Sequence, residues 1–479
     1  MDEKKFVSER VDYIASDMIF LRDRLFNLAE LPYREFRSSD LLIKVLRQYG
    51  FQVTEKAAGI PTCFYGRFSS GEGGMTVGLL GEFDALDGLS QKAGCTVFSP
   101  VRPNAPGHGC GHCCLGIGSL AAAIALKEYL VESGRPGTVI YYGCPAEEGA
   151  GSKQFMAREG LFDCCDFVYT WHPDSRNMVD VSHCNAIMGA NFYFRGRSAH
   201  AGATPYLGRS ALDAAELMSV GCNYLREHMI PEARVHYAYI DSGGTAPNVV
   251  QDRAVVRYEV RAPYVEQVKE LYGRVQNVAR GAAMMTETSV TAELAMAFTE
   301  YIPNLTLSPL VSAAMAEIGA PEWDEEDYAM AAAYLESFPE DSKEAIRERF
   351  RKDYGEDWEK VWARPLDASV KAFDAADITL QAGSTDVGDV GCAVPCVNLL
   401  VATACLGNVG HTWQMTGQAG SRLGAKGTLT AAKMLALAAI RTMDAPETVA
   451  KAREEVLERN GGKYCCPLPD EVRPPIDTY

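Results

Sequence analysis

Residues 107–114 read GHGCGHCC, and directly behind them residues 115–132 form an apolar run rich in small side chains. The thiol of Cys110 and the imidazole of His112 stand two residues apart, with glycine on both sides of the cysteine, so the backbone can close tightly around something small. The run behind is apolar on all sides and predicts a buried helix, whose N-terminal dipole favours a thiolate at its start. A chain that sets two ligand types in front of a core helix is built around half of a metal site.

Three further runs of strand character end at potential ligands. Residues 137–146 lead into Glu147 and Glu148, residues 166–171 into His172 and Pro173, and residues 397–403 toward His411. Cysteine, histidine and glutamate are the donors that borderline divalent metals accept. In open α/β sheets, the ends of the strands are also where sites lie. Five such ligands are too many for one structural zinc and suit two catalytic ions that share a bridging group, a place Cys110 can take. Two ions of this kind acidify water and polarise a carbonyl, and a carboxylate that is not a ligand must then move the proton. The adjacent glutamates fit that division, one binding metal and the other acting as base. Asp84, at the end of its own strand-like run, is placed to hydrogen-bond a ligand imidazole from behind.

With 479 residues, the chain exceeds what one core organises, so two or more domains are expected. The net charge of −17 argues against nucleic acid or an anionic membrane as the main partner. The first 26 residues are charged throughout and resemble no secretory signal, and no run approaches the apolar length of a membrane span. Fifteen cysteines, an odd number with three adjacent pairs, fit reduced thiols and a cytoplasmic location.

The expected fold is α/β: a mixed-sheet, zinc-peptidase-like catalytic domain with an inserted ferredoxin-like α+β lid or dimerisation domain. The catalytic domain is assigned to residues 1–185 and 298–479. The texture changes at about residue 186, where the order β-α-β-β-α-β runs to residue 297. Residues 305–370 read as a helical surface elaboration, and the last helix is placed at about 427–443. A helix is expected from Ser38 to Gly50, capped by Ser38. The inserted block offers His200 in SAHAGATP, Asn248 after GGTAP and Arg261 in YEVR, a clamp for an oxyanion and a substrate carboxylate.

Together, Cys110-Gly-His112, Pro145-Ala-Glu147-Glu148, His172-Pro173 and His411 resemble the di-metal amidohydrolases of peptidase family twenty, in the branch of the aminoacylases and auxin-conjugate amidohydrolases. The similarity runs from about residue 30 to the C-terminus. It implies two divalent ions, manganese or zinc, held by Cys110, His112, Glu148, His172 and His411, with Glu147 as base and acid and Asp84 in support. The His-Ala-Gly-x-Thr-Pro motif and an asparagine thirteen residues before an arginine are similar to carbamoyl-amino-acid amidohydrolases, which implies that His200 binds the oxyanion and Asn248 and Arg261 the substrate carboxylate. The implied reaction is hydrolysis of an N-aroyl or N-acyl amino acid, with p-aminobenzoyl-glutamate favoured. The implied partners are a second copy of the chain and a related A-type subunit. Dipeptides, N-acetyl and N-carbamoyl amino acids are alternative substrates, and a non-catalytic subunit of a heteromer is the alternative of another class. Glu82 stands where many relatives carry a metal-binding histidine, and Cys113 where an Asp or Asn is common.

Overall fold

The computed structural model describes residues 2–478. Its strands, in chain order, are β1 (Gln52–Glu55), β2 (Phe64–Ser70), β3 (Thr76–Glu82), β4 (Gly137–Cys144), β5 (Phe167–Asp174), β6 (Met178–Val179), β7 (Ser182–Cys184), β8 (Ala186–Arg195), β9 (Arg234–Asp241), β10 (Arg253–Ala262), β11 (Ser289–Phe298), β12 (Thr379–Gln381) and β13 (Cys396–Ala402).

Seven of them form one mixed sheet in the order β1-β2-β4-β3-β5-β13-β6. The inner four, β4, β3, β5 and β13, run parallel, and β1, β2 and β6 are added at the edges through antiparallel pairing. All eight residues of β4 are buried, as an unbroken apolar strand covered on both faces must be. The helices His112–Ser133 and Arg422–Met443 both pack on this sheet and against each other, and Glu3–Leu28 packs against both helices. His112–Ser133 lies close to the strands because it carries glycine where it meets them: a Cβ at Gly118 would come within 2.7 Å of the Trp171 ring. This helix starts at His112, three residues earlier than the apolar run suggested, because Gly111 takes a left-handed conformation at φ 82°. His112 therefore belongs to the first turn and not to the loop.

Other boundaries also differ from the sequence expectation. The helix Phe36–Gln48 is not capped by Ser38; the Glu30 carboxylate accepts hydrogen bonds from the Arg37 and Ser38 amides instead, at 3.1 and 2.8 Å. The helix Ser308–Ile318 is not a surface element, since its Val311 and Met315 sit in the main core. Only the later helices Glu325–Glu336, Glu340–Tyr354 and Trp358–Ala363 stand apart, around a small core of Tyr334, Leu335, Ile346 and Phe350. A further helix, Pro446–Arg459, follows Arg422–Met443. Against the expectation that no run is long and apolar enough to span a membrane, His112–Ser133 and Arg422–Met443 are, by length and composition; their apolar windows are 83% and 72% buried inside the fold. None of the fifteen cysteines forms a disulfide.

The second sheet has the order β11-β8-β10-β9, antiparallel throughout. The helices Ala211–Leu225 and Val265–Met285 cover one face, which completes the β-α-β-β-α-β plan. Alternation along the strands buries Phe192, Phe194, Val256, Tyr258 and Val260 on that face. Asn191, Tyr193, Arg257, Glu259 and Arg261 fall on the other, partly open face.

On the short helix Val387–Ala393, Asp389 is buried and accepts hydrogen bonds from the Tyr464 hydroxyl at 2.8 Å and the Thr299 amide at 3.2 Å. Burial nevertheless pushes its carboxyl up to about 8. In the unfolded chain the group titrates near 4. Stability contributed by the protonated form is thus fully present below about pH 4 and is lost as the pH rises through about 8. Urea unfolding at pH 5 to 8 should show a free energy falling by up to about 1.4 kcal/mol per pH unit. Asp389→Asn should flatten that dependence; an unchanged slope would assign it to another group.

Candidate metal centre

The ligand-bearing segments converge beyond the ends of the parallel strands. Cys110 lies on the loop before the central helix and His112 on its first turn. Glu147 and Glu148 lie on the turn after β4, and His411 on the loop after β13. His172 lies within β5, opposite Leu400 of β13, and not after the strand as its sequence suggested. The His411 backbone is held by its amide bonding to the Gly109 carbonyl at 3.0 Å and takes φ 57°, which few residues other than glycine adopt.

Donor atoms of Cys110, His112 and His172 all lie within 4.8 Å of one another, and so do those of Cys110, Glu148 and His411. Cys110 belongs to both groups. Its Sγ lies 3.3 Å from His172 Nε2, and His411 Nε2 lies 3.2 Å from Glu148 Oε1. Asp84 serves both halves: Oδ1 takes a hydrogen bond from His112 Nδ1 at 2.8 Å, and Oδ2 accepts from the Glu148 amide at 2.9 Å. With Nδ1 committed, His112 turns Nε2 toward the cluster. His112 Nε2 and Glu148 Oε1 are buried without a hydrogen bond of good geometry. Orphaned acceptors in a pair of mixed sulfur, nitrogen and oxygen triads are what two divalent ions would satisfy, so the residues fit such a centre.

Burial pushes the Glu147 carboxyl well up, and the negative charges of Glu82 and Glu148 add to it. Burial acts on Glu148 in the same direction, but the adjoining His411 imidazole and the charge of His112 outweigh it and hold Glu148 at about 2. The same contact with Glu148 raises His411. Burial, with Glu148 alongside, pushes the Cys110 thiol up. The helix dipole alone therefore does not make it a thiolate, and its deprotonation is a matter for a bound cation.

Two buried groups were not legible in the sequence. Lys153 Nζ lies 2.7 Å from Glu82 and 2.5 Å from Asp386, with all three side chains out of solvent. Asp386 also accepts from the Ser152 and Lys153 amides at 2.9 and 3.0 Å. Glu82 Oε2 is 3.3 Å from His112 Nε2, and Glu82, His112 and Glu147 form a third close group. Glu35 accepts from the Ala146 amide at 2.9 Å and from the Thr62 hydroxyl at 2.9 Å. It thereby fixes Ala146, which sits at φ 61° immediately before the glutamate pair. No local pattern marks either residue, since a lysine opening a short helix and a glutamate beside a turn ordinarily face water.

The clamp residues are divided. His200 is exposed, and its Nδ1 accepts from the Gly202 and Ala203 amides at 3.1 Å. It bridges Val249, and the Asn248 carbonyl accepts from the Ala201 amide, so His200 and Asn248 share one place beside the start of β10. Arg261, near the other end of β10, bonds Ser384 Oγ at 3.2 Å and Glu259 at 3.1 Å. Eight residues of strand separate Arg253 from Arg261, about 27 Å. Within one chain the three are not brought together.

Asp84→Asn should weaken metal binding by about 10- to 100-fold, because it disturbs the orientation of His112. Competition with a chromophoric chelator measures this, and unchanged affinity would remove Asp84 from the centre.

The profile of Peptidase family M20/M25/M40 matches residues 78–341. The B-type subunit of the p-aminobenzoyl-glutamate hydrolase of Escherichia coli (strain K12) is 38% identical over 475 residues, which cover 98% of both proteins. The Xaa-Arg dipeptidase of Mus musculus is 28% identical, with 94% of this chain and 91% of that protein covered. Among solved structures, an aminobenzoyl-glutamate utilization protein from Klebsiella pneumoniae superposes with a TM-score of 0.60 at 18% identity, covering 91% of this chain and 98% of that one. A dinuclear metal binding peptidase of the M20 family from Bacillus subtilis gives 0.53 at 14% identity, covering 88% and 98%.

Proposed function

Since this chain belongs to Peptidase family M20/M25/M40, we propose that it hydrolyses the amide of an N-aroyl or N-acyl amino acid, with p-aminobenzoyl-glutamate as substrate and p-aminobenzoate and glutamate as products. The observation that carries this reading is Cys110, whose sulfur belongs to two separate triads of metal donors. The relative named for that hydrolysis, which this chain matches along nearly its whole length, supports the substrate.

Cys110, His112 and His172 would hold one divalent ion, and Cys110, Glu148 and His411 the other, as manganese or zinc. A pair of such ions acidifies water and polarises the scissile carbonyl. Glu147 does the proton work: beside the ligands but outside both triads, it takes the proton of the attacking water and delivers it to the leaving amine nitrogen. A carboxyl whose proton affinity is raised by burial and by neighbouring acids is suited to both acts. Asp84 orients His112, and Glu35 holds the peptide that presents Glu147.

The separation of the clamp favours action across a homodimer, with His200 and Asn248 of one copy reaching the cleft of the other to meet the oxyanion and, with Arg261, the substrate carboxylate. The edge strand β9, with Tyr237, Tyr239 and Ile240 exposed, offers a surface for that pairing. A related A-type subunit is a second partner to test, and the cytoplasm is the compartment in which these thiols would stay reduced.

The test is release of p-aminobenzoate by the purified chain after chelation and readdition of manganese. Metal-dependent release is expected. Metal binding without turnover of p-aminobenzoyl-glutamate or any other acyl amino acid would leave a non-catalytic subunit.

A further inference from the structure

We infer that Arg257 is a specificity-determining residue that selects substrates whose leaving amino acid carries a side-chain carboxylate. The open face of the second sheet meets the turn bearing Glu148 at a cavity of about 420 Å3, lined among others by Gly149, Asn191, Tyr193, Arg257 and Glu259. Arg257 of β10 lies opposite Asn191 of β8. Its Nε donates to Asn191 Oδ1 at 2.9 Å, which fixes the plane of the guanidinium. The terminal nitrogens have no hydrogen-bond or ion-pair partner among the described residues. A half-buried arginine held by its inner nitrogen, with its outer fork left for a ligand, is arranged for a planar anion, and a carboxylate accepts that fork through both oxygens.

The surrounding charges leave this role to Arg257. Glu259 also lines the cavity, but Arg261 pairs with it at 3.1 Å. Glu293 is exposed to solvent. Glu148 belongs to the metal donors. Arg257 is thus the cationic group of the cavity wall without a carboxylate of its own. It lies two strand positions before Arg261's neighbour Glu259 and four before Arg261 itself, on the same face of β10, a spacing of about 13 Å between the two arginine backbones. Within the cavity, Arg257 is therefore assigned the side-chain carboxylate of the leaving amino acid. A neutral side chain would leave the Arg257 fork unpaired once water is displaced, which penalises it.

This inference rests on the hydrolysis proposed above, and the experiment separates the two. The manganese-loaded protein is assayed on p-aminobenzoyl-glutamate and on p-aminobenzoyl-glutamine, which differ only in the side-chain carboxylate. The native protein should favour the glutamate compound, and Arg257→Met should lower kcat/KM for it by about 10- to 100-fold, mainly through KM. The glutamine compound should change less than about 3-fold in the same variant, the size of the ordinary context scatter of one contact. Arg257→Lys, which keeps the charge but not the fork, should recover part of the loss. Equal losses on both compounds, or none on the glutamate compound, overturn the role of Arg257 while leaving the hydrolysis standing. Turnover of neither compound by the native protein overturns both.

Discussion

Glu147→Gln should lower kcat by about 100- to 10,000-fold, the range that a positioned general acid or base contributes, while leaving two ions bound per chain. The amide has nearly the volume of the carboxyl and cannot accept the proton of water. Glu147 belongs to neither triad that contains Cys110 and meets His112 only in the third group with Glu82, so its loss is expected to take away proton transfer while both Cys110 triads keep their ligands. The adjacent Glu148→Gln should behave in the opposite order: metal content falls first, and activity falls with it, because Glu148 shares a triad with Cys110 and His411. Metal analysis of the dialysed variants beside steady-state kinetics separates the two. Retained turnover in Glu147→Gln would remove the base from this position, and loss of an ion would make it a ligand.

The second large effect is expected at Lys153. Its ammonium is fully buried between Glu82 and Asp386, and those two charges hold its pKa well above the ordinary lysine value despite burial. Replacing it by methionine keeps most of the volume and strands two carboxylates in the interior, a loss of about 3–5 kcal/mol by precedent for one partner of a buried pair. The unfolding midpoint should drop clearly, and the double variant Lys153→Met, Asp386→Asn should recover part of that drop by removing one stranded charge. Because Glu82 also lies 3.3 Å from His112 Nε2, an uncompensated Glu82 should disturb the metal centre too. A single variant as stable as the native protein would show that one of the acids is protonated and that the lysine is not needed as a counter-charge.

Much of the chemistry was legible because metal donors are few and ordered. Cys110, His112, the Glu147-Glu148 pair, His172 and His411 each follow or sit in an apolar strand-like run or precede a core helix, and parallel strands deliver such ends to one rim. Asp84 could be read in the same way, and its Oδ1 lies 2.8 Å from His112 Nδ1. Element edges were less legible. His112 joined the helix through a left-handed glycine, and His172 stayed in its strand, because a cap or a ladder bond one residue further decides such limits.

Fold class, the two-sheet organisation and the candidate donors follow from the order of residues alone, since hydrophobic periodicity and residue chemistry are local properties. Which donors share an ion does not, because that depends on the register of β3, β4, β5 and β13 against the helix His112–Ser133. The buried Lys153 and the grip of Glu35 on Ala146 are likewise products of packing, with partners far away in sequence. Packing also set His200 and Asn248 apart from Arg261. His200, Asn248 and Arg261 all fall in the inserted block, but the rigid length of β10 keeps Arg261 away from the other two within a single chain.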